Sequence, residues 1–178
     1  MDINNLGSSQ LMQVIRAFLE RPSASIEQAS LESITGLSRT TIIKWVRFLQ
    51  KEEILNHEKI GRSRILKLNN ESAKVRELKR LHIILLLEPL KNVADRTGAE
   101  VWLYGSCARG EYYEESDADI ILISRAKRSE VIKDIEAISE KIGRRISFNI
   151  FSQREWSDMR KKDKPFYERV EKDKVVLA

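Results

Sequence analysis

Apolar side chains recur at helical spacing in two segments of the N-terminal third of the chain, and a short helical segment lies between them. The three segments span residues 11–19, 26–33 and 39–52. In the third segment Ile42, Val46 and Leu49 fall on one face, at intervals of three and four residues. Ser38 precedes this segment as a favourable N-cap residue, and Gly36 suits the turn before it. The pattern therefore predicts three helices.

Two segments with strand composition follow, at residues 54–60 and 63–68, and the tight-turn dipeptide Gly61-Arg62 separates them. Residues 71–98 then return to a helical stripe without loop composition. Pro89 interrupts this stripe, so a kink or two consecutive helices are expected, because proline in a helix interior removes a hydrogen bond. The two halves of the chain should thus be joined by helix rather than by a flexible tether.

Strand composition returns in the C-terminal half. Glu100–Tyr104 ends at Gly105-Ser106, and Asp119–Ile123 is apolar on both faces, as expected of a central strand. A further strand is predicted at Arg145–Phe151, where apolar and polar side chains alternate. Together with the helical segments, these strands predict a sheet flanked by helices.

Basic residues are concentrated between Ser38 and Asn70, where eight Lys or Arg stand against three Glu. This excess equals the formal net charge of the whole chain, +5, so the remaining residues sum to about neutral. A local basic excess indicates a polyanionic partner, although a solvated surface rich in Lys and Arg would have the same composition.

Neither a membrane span nor a secretory signal is expected. The longest apolar run, Ile83–Leu87, is far shorter than a bilayer requires, and the N-terminus lacks a basic region followed by an apolar one. Cys107 is the single cysteine, which excludes an internal disulfide and a cysteine-based zinc site. A cytoplasmic protein without a membrane partner is therefore the expectation.

The third predicted helix has a basic and hydroxylated free face. Opposite its apolar face lie four residues at intervals of four, three and four, namely Thr40, Lys44, Arg47 and Lys51. A helix, a glycine-containing turn and a second helix with such a face form the layout of a helix-turn-helix, and the two strands that follow supply a wing. Residues 8–70 thus resemble the winged helix-turn-helix domain of bacterial and archaeal transcription regulators.

This resemblance implies that the N-terminal domain binds double-stranded DNA. The candidates for contacts to the major groove and the adjacent phosphates are Arg39, Thr40, Thr41, Lys44 and Arg47, and those on the wing are Arg62 and Arg64. Phosphate neutralisation would supply affinity, and contacts to base edges would supply specificity. A winged helix that serves protein–protein contact is the alternative.

A strand, a Gly-Ser turn and a helix start meet at Gly105-Ser106. Glycine lets the backbone approach a ligand closely, and helix N–H groups and the serine hydroxyl can donate to phosphate oxygens. Asp117 and Asp119 follow, spaced so that both carboxylates point to one side of an extended chain. Two such carboxylates repel unless they are protonated or neutralised by cations, and hard oxygen ligands beside a phosphate cradle favour Mg²⁺. The combination indicates a nucleoside triphosphate bound with metal.

The run LYGSCARGEYYEESDADI, from Leu103 to Ile120, resembles the GS…DxD signature of the polymerase-β-like nucleotidyltransferases. Its ARGE and SD elements, with KPFYERV and VVL near the C-terminus, resemble the minimal nucleotidyltransferase branch over about residues 75–178. The resemblance implies that Gly105 and Ser106 hold the triphosphate and that Asp117 and Asp119 bind Mg²⁺ or Mn²⁺. Arg109 is a candidate for neutralising phosphate oxygens, and a surface ion pair with Glu111 or Glu114 is the equal alternative.

The chain departs from this family at one catalytic position. The family carries a third carboxylate on a later strand, where it helps to hold the catalytic metal and to activate the attacking hydroxyl, and here Asn149 stands at that position. An amide oxygen can coordinate a metal but cannot act as a base at neutral pH. Glu155, just beyond the strand, could substitute only if the backbone curled back.

The expected fold class is α+β with two domains. These are a winged helix-turn-helix of three helices and a β-hairpin at 1–70, and a nucleotidyltransferase fold with a mixed sheet flanked by helices at 99–178, with a connecting helix or helices at 71–98 packed on the second domain. Two functions stay open: transfer of a nucleoside monophosphate to a hydroxyl of a protein, RNA or small molecule, and a DNA-binding regulator that binds nucleotide without catalysis. The resemblance to winged-helix regulators, which commonly bind DNA as symmetric dimers, makes a homodimer a candidate assembly.

Overall fold

The computed structural model describes residues 9–178, which divide into two compact units between His82 and Ile83. Residues 1–8, where the predicted domain 1–70 begins, lie outside the described residues. Each unit has its own apolar core. None of the helices that the structure describes has both the length and the apolar character needed to span a bilayer.

The first unit combines helices with a small antiparallel sheet. Its elements in chain order are α1 (Gln10–Leu19), β1 (Ile26–Glu27), a 3₁₀ turn (Gln28–Ser30), α2 (Leu31–Thr35), α3 (Arg39–Lys51), β2 (Leu55–Ile60), β3 (Ser63–Leu68) and the start of α4 (Ala73–Leu86). The sheet order is β1-β3-β2, with both pairs antiparallel. The predicted hairpin is therefore present, and β1 extends it to three strands.

The predicted helix at residues 26–33 was wrong at its first two residues. Ile26 and Glu27 pair with Leu66 and Ile65 of β3, so they form strand instead of helix. A pairing of two residues has no periodicity of its own, and tertiary contact with β3 outweighs local propensity here.

The buried faces of α1 and α3 and the inner face of β3 form the core of this unit. Its fully buried residues include Val14, Phe18, Val46, Leu49 and Leu66. The side chain of Ser38 accepts a hydrogen bond from the Thr41 N–H and caps α3, as its position predicts. Packing of the apolar stripe of α3 into this core leaves the opposite face of the helix towards solvent.

The second unit is built on a four-stranded mixed sheet. Its elements are the end of α4, α5 (Leu90–Thr97), β4 (Glu100–Tyr104), α6 (Gly105–Ala108), β5 (Ala118–Ile123), α7 (Arg128–Ile142), β6 (Ile146–Phe151), α8 (Gln153–Lys162), α9 (Lys164–Asp173) and β7 (Val175–Val176). The strand order is β6-β5-β4-β7. Strands β5 and β6 are parallel, and the pairs β5–β4 and β4–β7 are antiparallel. The prediction that β5 is central is confirmed, and Pro89 lies between α4 and α5.

The two faces of this sheet pack on different helices. Leu103 and Ile120 belong to the core cluster that includes residues of α5 and α7. Trp102 and Ile121, on the opposite face, cluster with Trp156 of α8 and with residues of α9. Side chains alternate along a strand, so the odd-numbered positions of β5 and β6, including Asp119 and Asn149, belong to this second face. We refer to this surface, which carries Asp119 and Asn149, as the site face.

Candidate functional site

The Gly-Ser turn after β4 lies directly against the start of β5. Tyr104 is paired with Asp119 in the antiparallel register of these strands. Gly105 has a φ of +73°, and a Cβ at this position would lie 2.8 Å from Oδ2 of Asp119. Glycine is required here both for the backbone conformation and for the approach of the carboxylate. The structure thus brings the turn and the second aspartate of the motif together.

Asp117 is the last residue before β5, and its neighbours hold it at the same end of the strand. The Sγ–H of buried Cys107 donates to the Asp117 carbonyl at 3.3 Å. Nε of Arg145 lies 3.6 Å from Oδ2 of Asp117, and the Arg145 side chain is 80% exposed. The buried Cys107 side chain therefore links α6 to the residue that precedes β5, and the contact of Asp117 with Arg145 was not predicted.

The two aspartates interact electrostatically. Burial is the largest cause that raises the pKa of the Asp119 carboxyl, and the neighbouring Asp117 carboxylate raises it further, whereas Arg169 lowers it. Like charges at this proximity favour a bound cation, and carboxylate oxygens suit Mg²⁺. Within residues 9–178, no group of three or more His, Cys, Asp or Glu side chains is placed to hold a metal. The pair fits a metal that takes its remaining ligands from water and from substrate phosphates.

Asn149 interacts with the tyrosine that precedes the Gly-Ser turn. The Asn149 side chain forms a hydrogen bond with the Tyr104 hydroxyl. Burial, followed by the charge of Asp119, raises the pKa of Tyr104, and the hydrogen bond from Asn149 and the charge of Arg169 lower it. Tyr104, Asp119, Asn149 and Arg169 therefore form one connected group on the site face.

Arg169 is the member of this group that sequence reasoning missed. Its guanidinium carbon lies 5.6 Å from the centroid of the Phe166 ring, and Phe166 packs edge-on against Tyr104 at 5.9 Å. Phe166 and Arg169 are three residues apart on α9, so they share one helix face. That spacing was visible in KPFYERV, but the face of α9 that meets Tyr104 depends on tertiary packing.

Glu155 does not take the place of the missing third carboxylate. Its Oε2 accepts a hydrogen bond from the Ser152 N–H at 2.8 Å, and its own N–H donates to Ser152 Oγ at 3.2 Å. This capping box occupies the carboxylate at the first turn of α8, and the hydrogen bond from the Ser152 backbone lowers the pKa of Glu155. Asn149 and Glu155 line an open cleft of about 710 Å³ together with Arg125 and Arg128.

Arg109 forms ion pairs with two carboxylates. Its Nε lies 2.7 Å from Glu111 Oε2, and its NH1 lies 2.8 Å from Asp173 Oδ2. Of the two roles expected from the sequence, this geometry matches the ion pair with Glu111, and Asp173 is a second partner 64 positions away in the chain. Arg109 thus links the end of α6 to the end of α9.

Arg144 holds the loop that leads to Asp117. Its NH1 donates to the Tyr113 carbonyl at 2.9 Å and to the Ser116 carbonyl, and its guanidinium lies over the Tyr112 ring at 4.6 Å. These contacts restrain the segment between the Gly-Ser turn and β5, on which the position of Asp117 depends.

The candidate DNA-contacting residues differ in how far they are available. The exposed ones are Arg39, Thr40, Lys44, Arg47 and Arg62. Thr41 is partly buried at the capped start of α3, with its Oγ1 2.9 Å from Ser38 Oγ. Arg64 is also partly buried and donates to Gln50 Oε1 at 2.9 Å. The free face of α3 is thus basic and solvent-exposed, whereas Arg64 is held against α3.

The comparison with known protein families matches the region that holds the carboxylates. The family model for the nucleotidyltransferase domain matches residues 83–176, which is more than half of the chain. This chain belongs to the nucleotidyltransferase domain family. The carboxylate pair, the Gly-Ser turn, Asn149 and Arg169 all lie within the match, and α1 to β3 lie outside it.

The other comparisons give little information beyond the match to the family model. No curated protein matches the chain. One similar solved structure is the 1.40 Å crystal structure of a Sulfolobus solfataricus protein provisionally described as a nucleotidyltransferase. It is 20% identical, the similarity covers 59% of this chain and 87% of the other, and the TM-score is 0.35. A likeness at this level carries no argument about residues or ligands.

Proposed function

We propose that this chain is a metal-dependent nucleotidyltransferase that moves a nucleoside monophosphate from a nucleoside triphosphate to a hydroxyl acceptor, and that its N-terminal unit is a winged helix that binds duplex DNA. One observation carries the proposal. The Asp119 carboxylate lies against Gly105 and beside Asp117, so an anionic metal-ligand pair adjoins a turn suited to phosphate. Membership of the nucleotidyltransferase domain family supports the general activity.

Each residue at this site has a role that follows from its chemistry. Backbone N–H groups at the Gly105-Ser106 turn and the Ser106 hydroxyl would donate to triphosphate oxygens. Asp117 and Asp119 would hold Mg²⁺ or Mn²⁺, which when bound neutralises phosphate charge and orients the α-phosphate for in-line attack. Arg109 would act through position, because its two ion pairs link α6 to α9.

A transfer assay tests the catalytic part of this proposal. The full chain is incubated with each α-labelled nucleoside triphosphate and Mg²⁺, alone and with RNA, and label on protein or RNA is measured. Label is expected on an acceptor with the wild type and is expected to disappear with the Asp117→Asn/Asp119→Asn double variant. Equal labelling by both proteins would contradict the assignment of these carboxylates.

The position of Asn149 favours a second candidate function, a DNA-binding regulator that binds nucleotide without catalysis. Asn149 has no carboxylate and forms a hydrogen bond with Tyr104, and Glu155 is engaged in the capping box of α8. A general base for the acceptor hydroxyl is therefore not provided by either residue. Nucleotide binding without label transfer to the chain, RNA or added protein acceptors would favour this second function.

The DNA-binding part of the proposal is supported by the order and packing of α1, α2, α3 and the β2–β3 hairpin. Exposed Lys and Arg side chains on α3 and at the hairpin turn would neutralise DNA phosphates, and the exposed Thr40 could reach the edge of a DNA base. Binding as a symmetric dimer would present two α3 helices to half-sites about one helical turn apart, which the stoichiometry of a DNA titration reports.

A further inference from the structure

Three arginines of the second unit are candidates for contacts to the triphosphate, and they differ in their partners. Arg109 is committed to Glu111 and Asp173 at distances below 3 Å. Arg145 contacts Asp117 at 3.6 Å, with a side chain that is 80% exposed. Arg169 acts on Asp119 and Tyr104 through its charge, and no ion-pair partner of it is found within residues 9–178. Arg145 and Arg169 therefore keep most of their donors available.

These two arginines balance the charge of the aspartates. Arg145 lies 3.6 Å from Asp117, and Arg169 lies over Phe166, which packs on Tyr104, the residue paired with Asp119 in the sheet. Two positive charges therefore accompany the two negative ones before any ligand binds. The contact of Arg145 is long and solvent-exposed, which makes it weak and easily exchanged. Arg169 is exposed and is positioned by the ring of Phe166, which packs on Tyr104. Both guanidiniums can move without breaking a buried contact.

A cation and a triphosphate would change this balance in opposite ways. A divalent metal placed between the aspartates is repelled by guanidiniums that already neutralise them. A triphosphate attracts the same guanidiniums, because their planar donors match phosphate oxygens in bidentate geometry. Transfer of the arginines from carboxylates to phosphates would therefore leave the carboxylates available for the metal.

We propose that Arg145 and Arg169 are internal counter-ions of Asp117 and Asp119, which they exchange for the triphosphate when nucleotide and metal bind. This inference rests on the proposed function. It makes metal and triphosphate bind with positive coupling, since each ligand favours the arrangement of the arginines that the other requires. The protein then discriminates against free metal and selects the metal–triphosphate complex.

The test compares two ligands whose affinities should change in opposite directions when a counter-ion is removed. The probes are Mn²⁺ alone, followed by electron paramagnetic resonance, and inorganic tripolyphosphate with Mn²⁺, followed by calorimetry; tripolyphosphate makes the test independent of base preference. The proteins are the full chain, Arg145→Ala, Arg169→Ala and Arg169→Lys. Arg160→Ala, which removes an exposed arginine of α8, is the matched control.

Loss of either counter-ion is expected to tighten the binding of Mn²⁺ alone by about fivefold and to weaken the binding of tripolyphosphate with Mn²⁺ by about tenfold. Arg169→Lys keeps the charge, so the affinity for Mn²⁺ alone should not change. The affinity for tripolyphosphate with Mn²⁺ should fall, because a lysine cannot bind phosphate oxygens in bidentate fashion. Arg160→Ala should match the wild type.

Three results would overturn the inference or its basis. Variants that bind both ligands like Arg160→Ala would overturn the inference alone. Weaker binding of both ligands would also overturn it, since that is the result of a structural role. Should Arg169→Ala fold poorly, Arg145→Ala carries the test, because its side chain is largely exposed. A wild type that binds neither tripolyphosphate nor any nucleoside triphosphate with Mn²⁺ would overturn the proposed function itself.

Discussion

The Asp119 carboxylate lies so close to the Cα of Gly105 that a Cβ at position 105 would be 2.8 Å from Oδ2. Tyr104 and Asp119 are paired in the sheet, so the Asp119 carboxylate would have to turn away from the Gly-Ser turn to make room for a Cβ. The conformation of the turn and the position of the metal-ligand candidate are consequently coupled through one residue.

Gly105→Ala should therefore impair both folding and ligand binding. We expect a loss of about 1–3 kcal/mol in the free energy of unfolding from the positive φ, and a displaced Asp119 that binds nucleotide with metal at least tenfold more weakly. Urea unfolding and calorimetry measure the two effects. Gly98→Ala is the matched control, because Gly98 has a φ of +61° and open space around its Cβ position. This control should destabilise the fold but retain binding, and equal loss of binding in both variants would contradict the account.

Asn149→Asp should raise nucleotidyl transfer, because it places a third carboxylate on the site face. The new carboxylate could accept the Tyr104 hydroxyl proton in a hydrogen bond, which would keep it near Asp119. Transfer of label is the measurement, at equal protein concentrations. Ser147→Asp places an acid directly beside Asp119 in the register of β5 and β6, and so compares the second position on the same face with that of Asn149, which lies beside Ile121. An Asn149→Asp variant that is no more active than a measurable wild type would count against this placement.

In the presence of a metal chelator, the Asp119→Asn variant should be more stable than the wild type near neutral pH. Burial and Asp117 raise the folded-state pKa of Asp119 above its ordinary value, so the ionised form weakens the fold. Lowering the pH through the raised pKa protonates the wild-type carboxyl and removes this cost, so the advantage of the variant should shrink in acid. Thermal unfolding at pH 7 and pH 4 gives the comparison. Asp95→Asn, an exposed aspartate on α5, should have little effect at either pH, and a less stable Asp119→Asn at pH 7 would contradict the electrostatic argument.

Much of the second unit could be predicted from local pattern. The apolar β5 and the alternating β6 are strands as expected, and the two-residue spacing of the aspartates together with the Gly-Ser turn indicated where the site would lie. What could not be predicted depends on contacts between distant segments. Asp173 pairs with Arg109 because α9 packs near α6, and Arg169 lies on the same side of the molecule as Tyr104 because Phe166 packs on Tyr104. Neither relationship has a periodicity that a sequence could display.

The first unit shows the same limit on a smaller scale. The long stripe of α3 and the hairpin turn at Gly61 were identified because each has a strong local signal. Strand β1 has two residues and is too short to have a local sequence signal, so its pairing with β3 was missed. The hydrogen bond of Arg64 to Gln50 was also invisible, because it joins side chains of different elements.

DNA binding is expected to depend on the free face of α3. Lys44→Ala/Arg47→Ala should weaken the binding of duplex DNA about tenfold or more and reduce the slope of log affinity against log salt by about 1 for each phosphate that is no longer neutralised. Arg64→Ala should weaken it less, since its NH2 already donates to Gln50. Titrations of the full chain against genomic duplex fragments at two salt concentrations provide the data. Arg76→Ala, which removes an exposed basic side chain on α4, is the control. If the full chain does not bind duplex DNA even at low salt, the first unit is a module for protein contact instead.

The central claim is that the Gly-Ser turn and the two aspartates form one site for a nucleoside triphosphate with its metal. Calorimetric titration of the full chain with each nucleoside triphosphate and Mg²⁺ tests it most directly, alongside the Asp117→Asn/Asp119→Asn variant. The account predicts metal-dependent binding of at least one triphosphate by the wild type and a loss of at least tenfold in the variant, with the melting profile of a folded protein retained. Absence of binding by the wild type, or the same affinity in the folded variant, would contradict it.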